Sequence, residues 1–149
     1  MAPLQKRAFL SLVFGLALTL AFVIVLVMEG DVSALESNLN LRLVMYAALV
    51  GVPLVYLILV GLTLRKPTQV DERDRLIMER SSRVQWLSVI FSLVAWTIIL
   101  TEVYHDQGQV PVAYLNLIFV STLIIGTLAQ SLGILLGYWR MNSNGYSKE

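Results

Sequence analysis

The chain has 149 residues, 57% of them hydrophobic and 14% charged, with a mean hydropathy of +0.74. A soluble domain carries about a quarter charged residues, so this composition excludes both an ordinary soluble fold and a disordered chain. The absence of cysteine excludes a disulfide scaffold, a thiol nucleophile and Cys-ligated metal chemistry, and a single histidine excludes a bis-histidine haem within one subunit.

The apolar excess lies in four blocks free of Asp, Glu, Lys, Arg and His. The first, residues 8–28, has 21 residues, and a polar loop follows over 29–42, in which 33–38 suits a short interfacial helix. Residues 43–64 form a second block of 22, and Pro67 in the loop after it ends the helix or begins a turn. The third block, 84–101, has 18 residues; Asp106-Gln107-Gly108 then reads as a turn. The fourth, 111–139, has 29 residues and opens on Pro111, whose missing N–H costs nothing in the first turn of a helix. A helix needs roughly 20 apolar residues to cross ~30 Å of hydrocarbon, so each block predicts a span. The sequence thus predicts an all-α membrane protein: one domain, a four-helix bundle with spans over 8–28, 43–64, 84–103 and 111–139 and a loop over 65–83. The polar tail from Met141 onward is expected to fray.

Basic residues set the orientation. Ten of the eleven fall before the first span, between spans two and three, or after span four, leaving Arg42 by itself on the other side. The positive-inside rule then predicts a multi-pass protein of the inner (plasma) membrane with both termini cytoplasmic. Val32-Ser33-Ala34 has the look of a signal cleavage site, but the first block exceeds the usual 7–15-residue apolar core of a signal peptide, and Glu29 and Asp31 precede the site. An uncleaved signal-anchor helix is the better reading.

The middle loop is the most informative stretch. Pro67 is followed by Thr68 or Asp71 as candidate N-caps, and Asp71, Glu72 and Asp74 favour a helix start through the macrodipole. No Pro or Gly intervenes from there to Val103, so helix three is expected to extend about 20 Å into the cytoplasm. Asp71–Arg75, Arg75–Glu79 and Glu79–Arg83 form a ladder of opposite charges, and Ile77, Val84 and Phe91 continue a heptad stripe into the membrane.

The run Asp71-Glu72-Arg73-Asp74-Arg75-Leu76-Ile77, followed by Ser82-Arg83 and a span, resembles the motif of a family of small four-span prokaryotic membrane proteins of unknown function. That family often carries a buried Gln in its fourth span and ends it in Tyr plus basic residues; Gln130 and Tyr138-Trp139-Arg140 are similar. The resemblance covers residues 71–140 and implies the fold but no activity.

The candidate sites each have a plain structural reading beside the functional one. The charged segment (Asp71, Glu72, Arg73, Asp74, Arg75, Glu79, Arg80, Arg83) is a solvated helix start or a contact for a partner or subunit. Its basic residues, with Arg65 and Lys66, also suit anionic lipid, worth about 1 kcal/mol each near a membrane surface. In helix four, Asn116, Gly126, Gln130, Gly133 and Gly137 share one side, as a packing seam or as the lining of a polar pore. Ser11, Gly15 and Thr19 offer a similar seam on helix one. Trp86, Trp139 and Tyr104 fit interfacial anchors, Trp96 lies deeper, and His105 reads as a solvated loop residue.

Within the hydrocarbon there is no Asp, Glu, Lys, Arg or His, and Glu102 and Arg42 sit at the outer boundary where water is available, which argues against a proton-coupled carrier such as the small four-span multidrug exporters, whose first span holds an essential carboxylate. No catalytic, metal or cofactor constellation appears, and no basic surface with interleaved aromatics suits nucleic acid. The expected function is a non-enzymatic interaction module, a homo-oligomer or part of a larger membrane complex surrounded by membrane lipid. The alternative is a passive channel or small-solute carrier built by oligomers around Asn116 and Gln130.

Overall fold

The computed structural model describes residues 3–29, 39–63 and 72–145. They form four helices: α1 (Pro3–Glu29), α2 (Leu39–Thr63), α3 (Glu72–Tyr104) and α4 (Ala113–Gly145). Three of these are long and apolar enough to cross a membrane, over Leu4–Val27, Glu72–Tyr104 and Ala113–Asn142. The apolar stretch described in α2 is shorter, Arg42–Val55. Pro53 lies inside α2, where it has no N–H to give the Leu49 carbonyl and removes one rung of the helix ladder. The expected interfacial helix at 33–38, Pro67 and the residues around it, and Asp71 lie outside the described residues.

The central element is α4, with α3 on one side and α1 on another, while α2 touches α1 and α4 at the periphery. A buried cluster of Ala8, Ile77 and Ile134 ties α1, α3 and α4 together at one end. Ala113 packs with Phe22, Val25 and Leu26 at the other end, so α1 and α4 run antiparallel along their length. Lys6, Arg7, Arg80, Arg83 and Arg140 therefore gather at one end of the bundle and Glu102 and Asp106 at the opposite one.

Helix hydroxyls bond back to carbonyls of their own helix. Thr19 donates to the Gly15 carbonyl, Ser88 to Val84, Thr97 to Leu93, Thr127 to Leu123 and Ser131 to Thr127, all at 2.8–2.9 Å. Among the described residues no buried side-chain polar atom lacks a partner. Such a surface suits hydrocarbon, which offers no water to satisfy a hydroxyl.

The turn after α3 is the expected one. The N–H groups of Gln107 and Gly108 donate to the Tyr104 carbonyl at 3.2 Å, and Gly108 adopts φ +65°, the left-handed cap that glycine favours. A Cβ there would meet nothing within 4 Å among the described residues, so the cost of a substitution is purely one of backbone conformation. Gly108→Ala is expected to destabilise the fold by about 1 kcal/mol, measured as a lower Tm in detergent, with Gly108→Asn milder.

Two expectations are corrected. Pro111 precedes α4 by two residues rather than sitting in its first turn, and its carbonyl accepts from the Tyr114 N–H at 3.1 Å. The start of the tail does not fray: α4 continues through Gly145, because Met141 packs against the Ala8–Ile77–Ile134 cluster. The heptad stripe does not follow the contact with α4, since Ile77 is 2% exposed whereas Val84 and Phe91 are 46% and 71% exposed. The true contact face recurs every 11 residues, as Asp74–Gln85–Trp96 and Ser81–Ser92. Eleven residues in three turns nearly match the ~3.6 residues per turn of a straight helix, whereas a seven-residue repeat drifts about 20° per heptad and leaves the contact.

Candidate functional site

The α3–α4 hairpin is joined along a seam of small residues. A Cβ on Gly126 would lie 3.2 Å from Val89, one on Gly133 would lie 3.1 Å from the Ser81 Cα, and one on Gly137 would lie 2.9 Å from Ile77. The three glycines thus receive α3 of the same chain. On the other side of α4, Leu128 fills the space above Gly15, where a Cβ would lie 2.8 Å from it, and Ser11 is buried nearby. Asn116 and Gln130 are half-buried on α4.

Polar contacts extend this seam in both directions. Towards the acidic end, the Ser92 and Thr122 hydroxyls pair at 3.3 Å and the Trp96 indole N–H donates to Ser121 Oγ at 2.9 Å. Tyr114 packs edge-on against both Trp96 and Tyr104, with centroid distances of 6.5 and 5.4 Å. Trp96 is therefore a packing residue, and Tyr104 is held in an aromatic cluster. Trp86 and Trp139 are both exposed. Given the pairing of Gly137 with Ile77 and of Gly126 with Gln85, they stand about 16 Å apart along the hairpin axis, more than the thickness of one interfacial layer.

At the basic end the charged segment is two-faced. Asp74 is buried and accepts a hydrogen bond from the Tyr138 hydroxyl, while Ile77 and Ser81 lie beneath α4. Asp74 is thus turned away from any external partner. Glu72, Arg73, Arg75, Glu79, Arg80 and Arg83 are exposed. Of the charge ladder, Glu79–Arg83 forms at 2.9 Å. Arg73 Nε points at Met141 Sδ, 3.0 Å away. Both partners of the Glu79–Arg83 pair are largely in solvent, so the pair contributes little to stability.

Beside the seam runs an open trough of about 870 Å³. Its floor includes Ser81, Gly133 and Gly137, its walls Val84, Leu132 and Leu136, and Arg80 and Arg140 line it as well. Among the described residues no three of His, Asp and Glu stand close enough to hold a metal ion, and His105 is exposed in its turn.

No protein family model, curated protein or solved structure matches this chain.

The residues that sequence reasoning missed are the Asp74–Tyr138 and Trp96–Ser121 pairs and the trough. A signal existed for the first: Asp74, Ile77 and Ser81 are spaced 3 and 4 apart, which places the acid on the buried stripe of α3 rather than on its solvated face.

Proposed function

We propose that the chain is a non-catalytic integral membrane protein with four spans and both termini cytoplasmic, in which the α3–α4 hairpin holds a rigid frame for association with further copies or a larger membrane complex. The supporting observation is the uneven covering of the helices. A third (33%) of the apolar stretch of α4 is buried, against 11% for α1 and 6% for α3. The small-residue seams of α1 and α4 are consumed inside the chain, so association falls to the uncovered side of α3, where Trp86, Ile90, Phe91 and Ile98 stand out. The exposed charges from Glu72 to Arg83 continue that surface beyond the membrane and supply selectivity more than affinity.

Mass measurement in mild detergent is expected to show an oligomer or a co-purifying partner, and Arg75→Glu is expected to weaken it. A strictly monomeric chain that brings down nothing and is indifferent to Arg75→Glu would sink the association. The natural absence of cysteine gives a direct test of orientation. In intact cells Gln109→Cys is expected to react with a membrane-impermeant maleimide, and Asn142→Cys only after permeabilisation. The reverse pattern would overturn the orientation.

A further inference from the structure

The trough between α3 and α4 has the composition of an amphiphile site. On α3 it runs from Ile77 to Ser88, about 16 Å, so that it reaches from the charged segment into the charge-free stretch that begins at Val84. Its end at Val84, Ser88, Ala129 and Leu132 lies within the charge-free stretch of α3 or level with it. Its other end is bounded by Arg80 and Arg140, both outside that stretch. The crossing between the two regimes falls near the level where Ser81 meets Gly133. Lys6 and Arg7 arrive at nearly this level, because Ala8 packs against Ile134.

Charge selects the occupant. Among the described residues no carboxylate lines the trough, and Arg80 holds no ion pair. Its neighbour Arg83 is committed to Glu79. Guanidinium groups match phosphate oxygens in pairs, which a single ammonium does not. The volume of about 870 Å³ falls in the range of ordinary ligand sites, and the small floor residues hollow it while Leu132 and Leu136 give it an apolar rim.

We infer that the trough binds one anionic phospholipid of the inner leaflet, with its phosphate between Arg80 and Arg140 and an acyl chain laid over Gly133 towards Ala129. The inference rests on the membrane reading and the orientation proposed above.

The test uses the full chain in mild detergent, stripped of lipid and titrated with phosphatidylglycerol or phosphatidylcholine, with bound lipid counted by native mass spectrometry. The expected result is a one-to-one phosphatidylglycerol adduct, with phosphatidylcholine bound far more weakly and inorganic phosphate unable to displace the lipid. The double variant Arg80→Gln/Arg140→Gln is expected to lose roughly thirtyfold in affinity, at about 1 kcal/mol per arginine. Leu132→Trp, which leaves both charges in place, is expected to lose the adduct by filling the trough. Arg83→Gln is expected to retain it. Unchanged circular dichroism and elution volume identify variants that still fold, and Arg80→Lys/Arg140→Lys, which keeps the charge, serves as the second variant and is expected to bind with intermediate affinity. Equal binding of the two lipids, or binding indifferent to both the double variant and Leu132→Trp, overturns the inference. So does displacement by inorganic phosphate, or a change in oligomer mass in these variants with no change in lipid binding. The maleimide labelling and mass measurements above report the underlying reading separately, so the two can fail independently.

Discussion

Gly133→Leu is expected to separate α3 from α4 and to cost about 3 kcal/mol, the upper part of the usual range for overpacking. A Cβ at Gly133 would lie 3.0 Å from the Ser81 Cβ and 3.1 Å from the Ser81 Cα. The obstacle at 3.1 Å is backbone, which cannot rotate away, and the remaining side chain would have to enter the same space. Gly133→Ala brings in only the Cβ, so the helices must part by a few tenths of an ångström. That strain opposes the ~1 kcal/mol that alanine gains over glycine in a helix, and the net effect is expected to be a mild loss. Gly137→Ala is expected to cost at least as much, because a Cβ there would lie 2.9 Å from the Cγ2 methyl of Ile77, a buried β-branched side chain that is stiff at χ1. The control is Gly51→Ala in α2, where a Cβ meets nothing within 4 Å among the described residues and the propensity gain should stand undiminished. Unfolding in mixed detergent followed by circular dichroism reads all four. The ordering is the diagnostic: Gly133→Leu far below Gly133→Ala, and Gly51→Ala at or above the natural chain. If Gly133→Leu were as stable as Gly51→Ala, the close approach of the two helices would not exist.

That seam shows how much of the fold the sequence could carry. Charge-free length located three of the helices, and the absence of a breaker between Glu72 and Val103 foretold that α3 would be continuous. The spacing of Gly126, Gly133 and Gly137 placed them on one side of α4 for the same reason: periodicity is a property of a single helix. What faces them is a property of two helices, and nothing local in α4 distinguishes α3 from α1 or from another copy. Hydrophobicity misled on α3 in particular. In a membrane the lipid is as apolar as leucine, so the large apolar residues Val84 and Phe91 turn outward and the small hydroxyls Ser81 and Ser92 turn inward. The heptad drawn through Ile77, Val84 and Phe91 followed size and apolarity, as it would in water, and so left the contact after one turn of the pattern. The trough was illegible for a related reason: Arg80 and Arg140 are sixty residues apart and line one trough only because the hairpin folds in this register.

Tyr138→Phe is expected to destabilise the basic end of the hairpin by about 2 kcal/mol, although it removes a single oxygen. Asp74 is 8% exposed and accepts from the Tyr138 hydroxyl, so the variant leaves a buried carboxyl short of a donor. Hydrogen bonds to acidic groups contribute about 1.5–3 kcal/mol, and an abandoned buried partner carries the desolvation cost as well. Asp74→Ala strands the phenol instead, a neutral group that costs less to leave unpaired. Asp74→Asn keeps an acceptor in place and should cost least of the three. The informative quantity is the coupling between the two positions. In the cycle Asp74→Ala, Tyr138→Phe and the double variant, the double variant should cost less than the sum of the singles by more than 1 kcal/mol, because each single leaves one polar group orphaned and the double leaves none. Additive losses would mean that the two side chains do not act as a pair. The location of the loss matters too. Ile77 and Tyr138 share a cluster with Ala8 and Ile134, so weakening the pair should loosen α1 at the same end. Hydrogen exchange is expected to rise around residues 4–11 and 72–81 and to stay unchanged around Trp96 and Ser121, whose own hydrogen bond holds the far end of the hairpin.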